Sequence, residues 1–430
     1  MERSYIQEIF NKGKEEKVLV KGWVHETRDL GKIRFLLLRD LTGIIQVTYM
    51  KAKADKNLYD LMASLRESVL SIEGKIVKSK QAPGGFEIIP EKIDLIAEAE
   101  HPLPVDVSDF SKTELPKRLD YRFLDLHRKR TQAVFKIQNT ISNAFREFFY
   151  NQGFIEMQPP CVISAASEGG TELFPVQYFE KKAFLAQSPQ LYKQMLACSI
   201  EKTFMITPVW RAEKHNTTRH INEIRQMDIE VAFCNQMDIM KYQDEVVKYM
   251  VKQIIEKNPE ELTLLDVKLK IPTAKYITYE ETIKLLKKNK IKIEEGDDLS
   301  AEAEKKLNEL FPDTIVFVHS WPLSLKPFYI YPKNGEKDAK LSEGFDAIYK
   351  GIEISSGGQR IHLPNLLIER LKVKGLNPKN FQSYIDSFRY GAPYHAGWSI
   401  GLERFTQIIC GFDNIKEATL FPRDRDRLTP

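Results

Sequence analysis

The stretch most informative about chemistry lies between positions 209 and 233, VWRAEKHNTTRHINEIRQMDIEVAF. Arg211 and Glu213 stand two apart, and Asp228 and Glu230 repeat that interval after a polar loop. Residues two apart on a strand share a face, so two facing strands would bring four charged groups together. The planar fork of Arg211 suits a phosphate or carboxylate, and Arg219 and His220 in the loop are placed to hold outer phosphates. For any one arginine taken alone, an exposed basic patch is the plainer reading. Two further stretches carry chemistry. In YKGIEISSGGQR, 349–360, Glu353 and Ser356 offer hard oxygen ligands for a magnesium ion that also contacts a triphosphate. In HAGWSIGLER, 395–404, Gly397 and Gly401 would let a strand and a helix pack closely, with Arg404 projecting from the helix start.

These groups need elements to hold them. Residues 18–96 break into β-rich runs at Val18–Val24, Phe35–Arg39, Ile44–Thr48, Leu70–Val77 and Phe86–Ile89, parted by glycine-containing turns. Five strands in that length predict a small barrel, with the oligonucleotide-binding (OB) fold as leading candidate. Pro102, Pro104 and Pro116 mark the exit, and Lys117, Arg118, Arg122, His127, Arg128, Lys129 and Arg130 follow as a basic hinge. From Thr131, Val134, Ile137, Ile141, Phe145 and Phe148 recur at helical steps until Gly153 ends the run. The rest alternates β-rich runs with amphipathic helices. The reading is α+β: an OB barrel over 1–103, a hinge over 104–127, and one large α+β domain over 128–430.

Composition is permissive. The 430 residues are 42% hydrophobic and carry a net charge of +4, too small to argue for nucleic acid by itself, so any RNA site must come from local patterning. Cys161, Cys198, Cys234 and Cys410 lack the paired spacing of zinc or disulfide frameworks and read as reduced core residues. No basic-then-apolar leader or membrane-length apolar run is present, so a cytoplasmic enzyme without a membrane partner is expected.

Taken in order, the helix ending at Gly153 with Pro159 beyond it, the arginine-to-aspartate hairpin and the GLER segment resemble the three signatures of class II aminoacyl-tRNA synthetases. SEGGTELF at 167–174, QSPQLYK at 187–193, ISSGGQRIH at 354–362, YGAPYHAGW and the terminal FPRDRDRLTP narrow the resemblance to aspartyl-tRNA synthetases of the archaeal and eukaryotic-like type, essentially end to end. That resemblance implies that the barrel over 1–103 binds the anticodon, that 128–430 is a class II catalytic domain with an antiparallel sheet flanked by helices, and that the enzyme is a homodimer formed through the first signature, with ATP and L-aspartate as substrates and Mg2+ as cofactor. It implies that Glu168, Gln190 and Asp228 bind the substrate ammonium group, with Ser188 and Ser356 beside the amino acid. Lys193 and Arg360 would bind its side-chain carboxylate; two desolvated cations around one anion would leave asparagine poorly matched. Arg211 would bridge the α-phosphate and the attacking carboxylate, and Glu213 would accept from the adenine amino group. Arg219, His220 and Arg404 would hold the outer phosphates, with Ile221, Glu353, Gly401, Leu402 and Glu403 completing the nucleotide site. Where many relatives carry an adenine-stacking phenylalanine this chain has Ile224, which predicts weaker stacking and retained function.

In the barrel, Arg28, Phe35 and Gln46 match positions that read the anticodon. His25 and Pro83 stand where strict enzymes carry tryptophan and lysine, a pattern resembling relaxed enzymes that charge both tRNA-Asp and tRNA-Asn with aspartate. A strict aspartyl enzyme, an asparaginyl-tRNA synthetase and an RNA-binding paralogue without catalysis remain as alternatives.

Overall fold

In a computed structural model, residues 1–51, 55–164, 173–214, 217–336 and 338–430 are described. The chain divides into two compact units, Met1–Pro104 and Val105–Pro430.

The first unit is a closed barrel of β1 (Lys17–Asp29), β2 (Ile33–Arg39), β3 (Ile44–Met50), β4 (Val69–Lys78) and β5 (Phe86–Ala97), in the order β1-β2-β3-β5-β4. All five predicted runs lie within these strands. Alternation decides what goes inside: Val18, Val20 and Val24 of β1, Leu36 and Leu38 of β2 and Ile45 and Val47 of β3 fill a common core.

The second unit is built on a sheet whose strands among the described residues are β6 (Ile155–Glu156), β10 (Lys202–Trp210), β11 (Glu223–Ala232), β12 (Thr273–Thr278), β13 (Thr314–His319), β14 (Gly344–Tyr349), β15 (Ile352–Gln359) and β16 (His395–Gly401). They run in the order β12-β13-β14-β15-β16-β11-β10-β6, antiparallel except at the two edge pairs. A small sheet of β7 (Val162–Ile163), β8 (Pro175–Tyr178) and β9 (Lys181–Leu185) accompanies it. Met227, Ile229 and Val231 of β11 and Ala396, Trp398 and Ile400 of β16 turn one face of the large sheet toward the helix Lys129–Asn151 and the helix Gln236–Lys257. The opposite face is therefore the one left for chemistry.

The long helix buries Val134, Ile137, Ile141 and Phe145 as its periodicity predicts, and Gly153 follows its end at φ +77. The stripe continues through Phe149, however; Phe148 is only partly buried, beside Tyr249. The basic hinge is also corrected. Residues 105–127 belong to the second unit, where Arg118, Arg122 and Arg128 converge on Asp125 at 2.9, 2.6 and 3.2 Å and Arg118 also pairs with Glu417. A buried carboxylate converts a run of positive charge into an internal tie. All four cysteines are free, but only Cys234 and Cys410 are buried; Cys161 and Cys198 are half-buried.

Candidate active site

Because β10 stops at Trp210, Arg211 and Glu213 lie in the loop beyond it rather than on a strand face. They sit near the end of the hairpin where Trp210 faces Glu223, whereas Asp228 faces Met205 several residues along, so the four charged groups of the signature do not converge. What runs along β11 instead is a row on the free face: Ile224 and Gln226 line an open cleft of about 1070 Å³, and Asp228 and Glu230 continue the row beneath its floor. Register extends this row sideways, with Ser399 opposite both Asp228 and Ser356, and Asp346 opposite Ser356. Glu353 and Ser356 are three apart and would face opposite ways on a regular strand. A bulge at this point of β15 lets Ser356 pair with Asp346 and Glu353 with Ile348, which puts all of them on the cleft face.

Beneath the cleft Lys193, Asp228, Glu230 and Arg360 form a buried network. Lys193 Nζ lies 2.8 Å from Asp228 Oδ1 and 3.5 Å from Glu230, and donates also to the carbonyls of Trp398 at 3.1 Å and Ile229 at 3.4 Å. Arg360 holds Glu230 through Nε at 2.9 Å and Nη2 at 3.3 Å. Burial opposes charge on Asp228, Glu230 and Arg360. Arg360 nonetheless stays firmly protonated because of Glu230, and Glu230 is held below the usual carboxylate range by Arg360 and Lys193. For Asp228 burial wins over Lys193 and its pKa rises.

Two expectations change here. The pair of cations is matched by two carboxylates, and the three hydrogens of Lys193 are all engaged, so Lys193 supplies charge rather than a free donor. Arg360 keeps both Nη1 hydrogens and one on Nη2 without a partner among the described residues, and it lines the cleft. Asp228 is not among the residues lining the cleft, and its Oδ1 accepts from Lys193 and its Oδ2 from Ser399 at 3.3 Å, so its carboxylate is engaged with the network beneath the floor. Gly397 makes the network possible, since a Cβ there would stand 2.0 Å from Glu230 Oε2. Gly401 has no such constraint, its nearest neighbour being Arg404 Cβ at 3.6 Å.

Ser188 and Gln190 line the cleft above the network, and Gln190 opens the helix Gln190–Ile200. Glu168 lies outside the described residues.

At the other end Arg211, Glu213, Arg219, His220, Ile221 and Arg404 all line the cleft. The strand ends need an external clamp, and buried Asn222 provides it: Nδ2 donates to the carbonyls of Arg211 at 2.6 Å and Glu213 at 3.1 Å, while its N–H donates to Arg423 O at 2.6 Å. Arg219 pairs with Glu304 at 3.1 Å, bringing the helix Ala301–Leu310 to the rim. Arg404 Nη1 donates to Glu353 O at 3.0 Å. Leu402 is not in the wall. Glu403 is, but its two oxygens accept the N–H of Arg225 at 3.1 and 3.0 Å, so this carboxyl ties the helix Leu402–Cys410 to β11; burial pushes it up to about 7 against those bonds.

The metal expectation can be tested on the side chains themselves. Burial and the neighbouring Asp346 push Glu353 up to about 7, and Asp346, bound by Lys326 at 2.6 Å through Oδ2, leaves Oδ1 buried without a partner. Two mutually repelling carboxylates with an orphaned oxygen, beside the Ser356 hydroxyl, fit a hard divalent cation. Asp346 was missed in the sequence; the signal was the seven-residue spacing from Glu353 across a tight hairpin.

On the barrel, Arg28 faces Phe35, Phe35 faces Thr48, and Gln46 lies two residues from Thr48, so these side chains share one outer face. Phe35 is half-buried and Arg28 exposed. Glu87, missed in the sequence, joins them, accepting from Gln46 Nε2 at 2.8 Å and Thr48 at 2.7 Å. His25 lies at the β1 bulge, 3.4 Å from Arg39 Nη1, and Pro83 is exposed in the β4–β5 turn.

A polar cleft on an antiparallel sheet, rimmed by arginines and floored by a charge-paired network, is thus joined in sequence to an OB-like barrel. Residues 114–425 match the model for class II tRNA synthetases (D, K and N), and residues 18–96 match that for the OB-fold nucleic acid binding domain. The chain belongs to the class II tRNA synthetases. Curated relatives include the aspartate–tRNA(Asp/Asn) ligases of Methanocaldococcus jannaschii, 44% identical over 96% of this chain and 95% of that one, and of Archaeoglobus fulgidus, 44% identical over the whole of both. Among solved structures, the asparaginyl-tRNA synthetase of Pyrococcus horikoshii complexed with asparaginyl-adenylate superposes with a TM-score of 0.94 at 33% identity and full coverage of both chains. The aspartyl-tRNA synthetase from Entamoeba histolytica superposes at 0.86 with 30% identity, covering 100% of this chain and 93% of that one.

Proposed function

We propose that this enzyme activates L-aspartate with ATP and transfers the aspartyl group to tRNA-Asp and tRNA-Asn. The observation that carries the amino-acid choice is Arg360, a buried guanidinium that lines the cleft floor and whose Nη1 has no hydrogen-bond partner among the described residues. A side-chain carboxylate there gains two charge-assisted bonds, whereas an amide would turn a hydrogen-bearing nitrogen toward the same cation.

The substrate α-carboxylate is already ionised and needs no general base; catalysis is alignment and charge neutralisation as its oxygen attacks the α-phosphorus in line and pyrophosphate departs. Arg211 bridges the two reacting groups, Arg219, His220 and Arg404 take the outer phosphates, and Ile224 covers the adenine with an aliphatic surface. Glu353 and Ser356, with Asp346, would hold Mg2+, which would offset phosphate charge. The terminal ribose hydroxyl of the tRNA then takes the acyl group and AMP leaves.

Relaxed tRNA choice is supported by His25 and Pro83 in place of a bulky aromatic and a cation, and by the likeness to aspartate–tRNA(Asp/Asn) ligases. The product on tRNA-Asn would need a separate amidating step. Charging of the two purified tRNAs with aspartate tests this: both are acylated, and acylation of tRNA-Asp alone would leave the strict enzyme. We also propose a cytoplasmic homodimer. Apolar surface at Tyr150 and Ile155, at the end of the first signature helix and just past it, supports the dimer.

A further inference from the structure

Gln190 can bind an ammonium group only if its amide presents oxygen, not nitrogen, to the cleft, and nothing in Gln190 itself decides which. The decision is made at a distance of two side chains. His395, fully buried, has Nδ1 2.9 Å from the carbonyl of Pro393. A carbonyl only accepts, so Nδ1 carries the hydrogen and Nε2 of the neutral ring must be an acceptor. Gln194 lies 2.9 Å from that Nε2 and must therefore offer it the NH2 group. Its oxygen is thereby aimed the other way, where it accepts from Gln190 Nε2 at 2.8 Å and from the Tyr384 hydroxyl at 2.8 Å. With its nitrogen turned toward Gln194, Gln190 has its oxygen left for the cleft it lines.

We propose that His395 and Gln194, with Tyr384, are positioning residues that set the amide of Gln190 so that its oxygen meets the amino group of the amino-acid substrate. Every link is nine-tenths or more buried, so water does not rescue a reversed amide. Burial keeps His395 neutral, opposed by Glu230 and aided by Arg360 and His362. The kinetic arm of the test rests on aspartate being the substrate.

Two variants separate this role from packing. In Gln194→Met the acceptor for Gln190 Nε2 is lost; in Gln194→Glu it is kept, and the added charge is met by protonation of His395. In aspartate-dependent pyrophosphate exchange, Gln194→Met is expected to raise KM for aspartate about tenfold and Gln194→Glu less than about threefold, with KM for ATP within twofold in both. A side chain that only fills space gives the reverse order, because a buried charge then costs more than a thioether. Gln194→Glu as impaired as Gln194→Met would overturn the proposal. The tautomer is read without substrate, by 15N spectroscopy of the imidazoles of the unaltered enzyme, with His395→Asn used only to assign the signal. Nδ1–H is expected, and Nε2–H sinks the relay while leaving the substrate assignment standing. Absence of aspartate-dependent exchange in the unaltered enzyme strikes the substrate reading and leaves the tautomer result intact.

Discussion

Replacing Arg360 by glutamine removes the cation that both faces the cleft and neutralises Glu230. The two consequences can be told apart. Glu230 is wholly buried, and without Arg360 its remaining cation is Lys193 at 3.5 Å, already shared with Asp228 at 2.8 Å. Stranding one partner of a buried pair costs about 3–5 kcal/mol, so Arg360→Gln should lower the thermal midpoint by several degrees. Adding Glu230→Gln restores charge balance with two amides of similar shape, and most of that stability should return, since neutral replacement of a whole buried pair is commonly near neutral. Aspartate use should not return. Loss of a two-pronged charge-assisted contact is worth about 3 kcal/mol, or roughly a hundredfold in kcat/KM for aspartate. Thermal unfolding and aspartate-dependent pyrophosphate exchange, run on both variants, read the two effects separately. If the double variant recovers its stability and also discriminates aspartate from asparagine as the parent does, the reasoning about Arg360 is wrong.

Gly397→Ala should abolish exchange and soluble expression, because its Cβ would overlap Glu230 and Ile229, whereas Gly401→Ala should fold normally; equal stability of the two would contradict the close approach read here. Glu403, pushed up to about 7, holds a proton in the folded state that the unfolded chain releases near pH 4.5. Stability should therefore fall as pH rises through that window, by up to about 3 kcal/mol, and Glu403→Gln should flatten the profile as followed by thermal unfolding. Glu353, also near 7, must lose its proton to take a cation. Calorimetry of preformed Mg2+–ATP binding should show proton release at pH 6.5 and none at pH 8.5, and identical heats in two buffers of different ionisation enthalpy at pH 6.5 would contradict it.

Much of the fold was legible because two short-range signals carry it: alternation in the barrel strands, and the three- and four-residue stripe of the long helix. The site was legible as a set of residue types but not as contacts. Reading Arg211 and Glu213 as a strand pair failed because chain direction past Trp210 is set by Asn222, whose bonds to Arg423 and the loop carbonyls join residues far apart in sequence. Asp228 looked like an ammonium ligand because a lone aspartate gives no hint that Lys193 already occupies it. Glu353 and Ser356 share a face only through a bulge, which no local pattern announces. The basic hinge misled only in part for that reason: Asp125 stands within the stretch itself, whereas Glu417, which also pairs with Arg118, comes from the far end of the chain.

The most direct test is amino-acid-dependent ATP–pyrophosphate exchange on the purified chain, with aspartate and asparagine side by side. A guanidinium edge lining the cleft floor should give exchange with aspartate and only background with asparagine at equal concentration. Exchange supported equally or better by asparagine would contradict the account.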